Sequence, residues 1–170
     1  MPKPSSKMIQ SHRRRHGVTL IELLITLTII GVLAAIALPS FGPFVAQQRI
    51  KTAAFDIIST LSLARSEAMK RNASVNIIPI GGNWGAGWTV AVGANTLSQQ
   101  AAFVGLAVTC RSGAVVVTPC PVITYNNNGR IPGATSQSIE ISSTATTSGS
   151  VRCISTDLSG RPNSKKTGCP

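Results

Sequence analysis

The stretch Gly17-Val18-Thr19-Leu20-Ile21-Glu22-Leu23-Leu24 opens an apolar run that continues to Leu38 and meets Pro39. Residues 18–38 are twenty-one in number and carry one charge, Glu22, which is long enough for a helix to cross a bilayer. The run is too long for a signal-peptide core, and no small-residue cleavage site follows it. Residues 1–17 hold Lys3, Lys7, Arg13, Arg14 and Arg15 with no acid, an excess of positive charge that stays on the cytoplasmic side. The expectation is a chain with its N-terminus inside and its bulk outside. A carboxylate five residues into an apolar run is costly in hydrocarbon. The bland reading keeps Glu22 wet at the membrane interface, and the sharper one gives it a function or a partner.

The string 17–24 resembles the prepilin peptidase site of type IV pilins and pseudopilins. That resemblance implies a leader, 1–17, cut after Gly17, N-methylation of Val18, and pairing of Glu22 with the N-terminal amine of a neighbouring subunit during assembly. Val18 departs from the usual Phe of that family. The partners so implied are the prepilin peptidase, other pilins in a filament, and the inner membrane before assembly. The implied location is a single pass in the bacterial inner membrane with a periplasmic domain, and then the pilus at the cell surface.

Cutting after Gly17 leaves 153 residues, enough for one helix and one soluble domain with a single core. Five of the sixteen basic residues sit in the leader, so eleven face five acids in the remainder, a balance of +6. The low charge content, with abundant Ser, Thr, Asn and Gly, suits an extracellular β-rich domain. Cys110, Cys120, Cys153 and Cys169 allow three pairings, and nearness along the chain favours Cys110 with Cys120 and Cys153 with Cys169. No metal site is expected, because no C-x-x-C or His-containing ligand set is present. His12 and His16 both lie in the leader, so the cut chain has no histidine for a Ser-His or Cys-His nucleophile. Glu22, Asp56, Glu67, Glu140 and Asp157 are scattered through the sequence. The chain is therefore expected to be no enzyme and to need no cofactor.

Past an interruption between Pro39 and Pro43, which should bend or open the helix, Ala54, Ile57, Leu61, Ala64 and Ala68 recur at helical spacing. A helix over 18–71 follows, its second half lying against a domain over 72–170. From Ala73 onward short β-like runs alternate with Gly, Asn and Pro, predicting strands at 74–79, 87–92, 101–108, 114–117, 122–125, 138–142 and 150–155. Asn126-Asn127-Asn128-Gly129 is turn chemistry, and no internal repeat is visible. The expected fold class is α+β, one long N-terminal helix packed on an antiparallel β-rich domain.

Three further segments carry a closer resemblance: residues 63–72 with Trp84-Gly85-Ala86-Gly87-Trp88-Thr89-Val90, Tyr125 to Arg130, and Arg152-Cys153-Ile154-Ser155 leading to Gly160-Arg161. Together they resemble the GspH/FimT family of minor pilins and pseudopilins, in which FimT proteins bind DNA through a C-terminal Gly-Arg-x-Arg/Lys motif and assist DNA uptake in natural transformation. Gly160 and Arg161 fit that motif, whereas Asn163 takes the second basic position and the next cations are Lys165 and Lys166. Trp84 and Trp88 are expected as core or sheet-face aromatics. Arg65, Glu67 and Arg71 are expected as helix-surface pairs.

The candidate DNA site is thus the basic tail 159–168, read as a loop bracketed by Cys153 and Cys169. Arg161, Lys165 and Lys166 face phosphates there, with Arg152 and Arg130 as weaker candidates. Nothing aromatic in the tail sequence supports stacking on single-stranded bases, so little sequence preference is expected. The competing reading is a structural minor pilin or a GspH-like pseudopilin of a type II secretion system without DNA binding, in which the tail is a solvated charge cluster.

Overall fold

Helix α1, Leu20–Ala37, has only Glu22 as a charge. The Thr19 hydroxyl accepts from the Glu22 backbone N–H at 3.3 Å and caps its start. The hydroxyls of Thr26 and Thr28 donate to carbonyls one turn back at 2.8 Å, so neither polar group needs water. The structure, a computed structural model, describes residues 17–37, 41–133, 137–144, 150–157 and 159–170. Among these no helix is long and apolar enough to cross a membrane. Eighteen residues give α1 a length of about 27 Å at 1.5 Å per residue, against about 30 Å of hydrocarbon. The span expected over 18–38 therefore starts two residues later, at Leu20, and Leu38 lies outside the described residues, as does most of the leader.

Residues Phe41–Pro170 form a compact unit separate from Met1–Ser40. Every buried residue among those described belongs to it, as do both disulfides, so it holds a core of its own, which is what independent folding requires. Its helix, α2, spans Phe41–Arg71. Pro43 sits in the first turn, where its missing N–H leaves no helical bond unmade. Ala53, Ala54, Ile57, Leu61, Ala64 and Ala68 make the buried stripe, and its small side chains let sheet residues come close. The helix stops at Asn72, which takes the left-handed conformation (φ 51°), while the Ala73 N–H reaches back to the Ala68 carbonyl at 3.2 Å.

The strands are β1 Val75–Pro79, β2 Trp88–Val92, β3 Asn95–Gln100, β4 Leu106–Ser112, β5 Val115–Val117, β6 Ile123–Tyr125, β7 Gln137–Ser143, β8 Val151–Thr156 and β9 Pro162–Lys165. They make two sheets, ordered β3-β2-β1-β6 and β5-β4-β7-β8-β9, with every pairing antiparallel. Helix α2 contacts β1 and β6 of the first and β7, β8 and β9 of the second, so one helix closes both sheets over a shared core. Trp84 and Trp88 are each 1% exposed, and the Trp88 indole donates to the Thr60 hydroxyl at 3.2 Å. The α+β expectation holds. Disulfides join Cys110 to Cys120 and Cys153 to Cys169, the pairing that nearness along the chain favoured.

Three expectations need correction. The strand placed at 101–108 is instead β4, starting at Leu106, and Asn95–Gln100 is a strand that alternation does not reveal. Its sequence NTLSQQ is mostly exposed, with Leu97 its one apolar side chain packed against the core. The tail, expected as a loop, contains β9 over Pro162–Lys165, hydrogen-bonded to β8 with Cys153 opposite Lys165. Proline opens this edge strand, where no ladder donor is required of it. Arg65 joins no helix-surface pair: Glu67 pairs with Arg71 and Lys70, while Arg65 turns to the domain.

Candidate nucleic-acid interface

Two turns meet at the end of the domain where β6 leaves the first sheet and β8 leaves the second. In residues 126–130 the Asn126 N–H donates to the Arg130 carbonyl at 2.9 Å and the Gly129 N–H to the Asn126 carbonyl at 2.8 Å. The Asn126 side-chain oxygen accepts from the Arg130 N–H at 2.9 Å. In residues 157–161 the Asp157 N–H donates to the Arg161 carbonyl at 3.1 Å and the Gly160 N–H to the Asp157 carbonyl at 2.9 Å. The Asp157 carboxylate accepts from the Arg161 N–H at 2.8 Å. Both segments read Asx-x-x-Gly-Arg, and both use the Asx oxygen to hold the turn closed. This is a short internal repeat, which the expectation of none missed, because a five-residue pattern gains meaning only once the hydrogen bonds coincide.

The turns pack against each other through their glycines. Gly129 and Gly160 have φ of 69° and 79°, open to a residue without a Cβ. A Cβ on Gly160 would run into the Gly129 carbonyl oxygen and stand 3.3 Å from the Arg130 Cα. Arg130 and Arg161 therefore leave the backbone from adjacent places, and both are exposed. Arg65 on α2 donates through Nε to the Gly129 carbonyl at 3.0 Å, and the Tyr125 hydroxyl donates to the Gly160 carbonyl at 3.0 Å. Each turn is thus tied to the core by a side chain from a different element.

Tyr125 is fully buried. Burial, opposed by the nearby Arg65 charge and reinforced by Asp157, pushes its hydroxyl up to about 12. Asp157 goes the other way: the Ser159 hydroxyl and the Arg161 N–H, with the Arg161 charge beside them, hold its carboxyl below the usual range. That contribution to the turn is present above the ordinary carboxylate pKa and is lost as pH falls through the lowered one.

The candidate cations do not form one cluster. Successive side chains of β9 alternate between faces. Arg161, Asn163 and Lys165 line a cavity of about 600 Å³ together with Cys153, Ser155 and Asp157. Lys166 and Arg152 line a different recess, against α2, where Arg152 donates to the Ser164 hydroxyl at 3.3 Å. The tail is held by its disulfide and by Glu140, whose carboxylate accepts from the Cys169 N–H at 2.8 Å and lies 3.6 Å from Arg111 Nε. Gly160 contributes shape. Tyr125, Asp157 and Arg65 shape the site; the sequence marked Tyr125 only as the start of a family-like segment and gave none of the three a place here. The matching turn patterns were their only available signal.

Among the described residues no group of His, Cys, Asp or Glu is arranged to hold a metal. Gly17, Val18 and Glu22 lie in the other unit of the chain.

A family model described as type II transport protein GspH matches residues 53–160. A second, described as the prokaryotic N-terminal methylation motif, matches residues 12–38. Pilin-like protein PilA1 of Thermus thermophilus is 41% identical over 63 residues, which are 37% of this chain and 39% of that protein. The match thus spans about two fifths of that relative's length. Crystal structures of the type IV minor pilin FimU of Pseudomonas aeruginosa, in two crystal forms, share the fold with TM-scores of 0.60 and 0.57 at 23% identity. They cover 72% and 68% of this chain and 92% and 91% of those chains.

The chain has a single tyrosine, so absorbance titration of the phenolate reports Tyr125 alone. A midpoint near 12 is expected, with stability falling as pH rises from about 10, where the unfolded tyrosine ionises, toward 12. A midpoint near 10 contradicts the buried hydrogen bond.

Proposed function

From the premise that the chain belongs to the GspH family of type II transport proteins and carries the N-terminal methylation motif of pilin-like proteins, we propose that it is a minor pilin that binds DNA. The observation that carries this reading is the pair of matched turns, which set Arg130 beside Arg161 with Lys165 one strand-length away on the same side as Arg161. Guanidinium groups bind phosphate oxygens bidentately, and a rigid base lowers the entropy lost on binding. Among the domain's acids, Glu67 is engaged by Arg71 and Lys70, Glu140 lies against Arg111 and Asp56 sits on α2, which leaves Asp157 beside the arginines. Contact through phosphates gives little sequence preference and strong dependence on salt. In this reading the protein assists DNA uptake at the cell surface.

Assembly is proposed to follow the pilin route. The prepilin peptidase cuts after Gly17, Val18 is methylated, the inner membrane holds the subunit, and Glu22 docks it on the N-terminal amine of a neighbouring pilin in the filament. A second reading, a pseudopilin of a type II secretion system that binds no DNA, is favoured by the description of the family itself.

Retardation of duplex DNA by residues 41–170 separates the two readings. Binding is expected, with Arg130→Gln/Arg161→Gln/Lys165→Gln lowering the salt slope by about 2.7 in log units at about 0.9 per phosphate contact. An unchanged slope, or no retardation by the unsubstituted domain, contradicts the DNA reading. Glu22→Ala is expected to leave the domain folded and to remove the protein from sheared pili. Normal incorporation contradicts the docking role.

A further inference from the structure

The recess that takes Lys166 and Arg152 away from the tail is lined by Gln47, Ile50 and Lys51 of α2 and by Ser150, Val151, Arg152 and Lys166. Three cations and no carboxylate line it. At about 280 Å³ it falls just below the about 300–1,000 Å³ of pockets for organic ligands, and its charge suits one phosphodiester. It lies on the opposite face of β9 from Lys165, so one rigid surface does not present both to the same phosphate run.

The surroundings differ from those of the paired turns. Phe44, 57% exposed, is three residues before Gln47 and seven before Lys51 on α2, which sets the three on one helical face. Phe41, Val45 and Val104 are also exposed, and Phe44, Val45 and Val104 line a second, more apolar groove on α2. Exposed aromatics beside lysines mark a helix that lies in a lipid interface. A DNA backbone offers those side chains nothing to bury against.

We propose that this recess binds the phosphate of an anionic phospholipid headgroup, with Lys51, Arg152 and Lys166 on the phosphate and Phe44 and Phe41 in the acyl boundary. The domain then rests on the membrane surface through a site of its own, independent of the DNA reading. Sequence links it to the membrane segment closely, since Phe41 follows the last residue of α1 by four positions. Leaving the membrane for a filament would require the headgroup to be released.

The test is flotation of residues 41–170 with vesicles of phosphatidylcholine alone or mixed with phosphatidylglycerol. Binding only to the mixed vesicles is expected, and Lys51→Gln/Lys166→Gln should weaken it about 25-fold, at about fivefold for each cation removed from an anionic surface. Phe44→Ser should weaken it as well, while Arg130→Gln/Arg161→Gln should leave it intact. Equal binding to both vesicle types, or an unaffected Lys51→Gln/Lys166→Gln variant, overturns the proposal. So does a Lys51→Gln/Lys166→Gln variant that loses duplex DNA and keeps the vesicles, which would assign the recess to nucleic acid.

Discussion

Everything at the functional end of the domain depends on the hydrogen bond from the Tyr125 hydroxyl to the Gly160 carbonyl. Tyr125 ends β6 in the first sheet, and Gly160 lies between β8 and β9 of the second. A buried phenol that cannot donate leaves both itself and the carbonyl unpaired, at a cost of about 1–3 kcal/mol, so the contact fixes how the two turns stand against each other. Arg65 performs the same task from α2 by reaching the Gly129 carbonyl. Glycine is required at 160 because that turn meets the backbone of the other, and at 129 because Met69 and Arg65 of α2 press against it. The arginines that follow are thereby placed side by side without touching the core themselves.

The charge pattern follows from this division of labour. Three of the four acids in the domain serve the scaffold: Glu67 braces the end of α2, Glu140 pins the Cys169 N–H, and Asp157 closes its own turn. Asn126 closes the matching turn with a neutral oxygen, so the carboxylate is one of two solutions to the same geometric demand. The cations outnumber these acids, and five of them line two recesses beside the edge strand β9, Arg161 and Lys165 in one and Lys51, Arg152 and Lys166 in the other.

Much of this was legible in the sequence. The stripe from Ala54 to Ala68 repeats every turn and became the buried face of α2, the two tryptophans became core, and the methylation motif marked the N-terminus. The edge strands β3 and β9 were not legible, because strands of the type NTLSQQ and PNSK carry no apolar alternation and exist by pairing with a neighbour. The basic tail read as one cluster because adjacent letters look alike, whereas β9 ends at Lys165 and Lys166, just beyond it, lines a different recess. Arg65 looked like a partner for helix acids, and only the fold brings Gly129, 64 residues away, within its reach.

The central claim is that the two Asx-x-x-Gly-Arg turns act as one surface toward DNA. The most direct measurement is a nitrogen-15 NMR titration of residues 41–170 with a short duplex, following the arginine Nε–H and backbone amide signals. The account predicts that Arg130, Arg161 and the amides of both turns shift together and saturate at one concentration, while Lys51 and Ile50 on α2 stay still. Shifts confined to one turn, or saturation of the two at different concentrations, would contradict it.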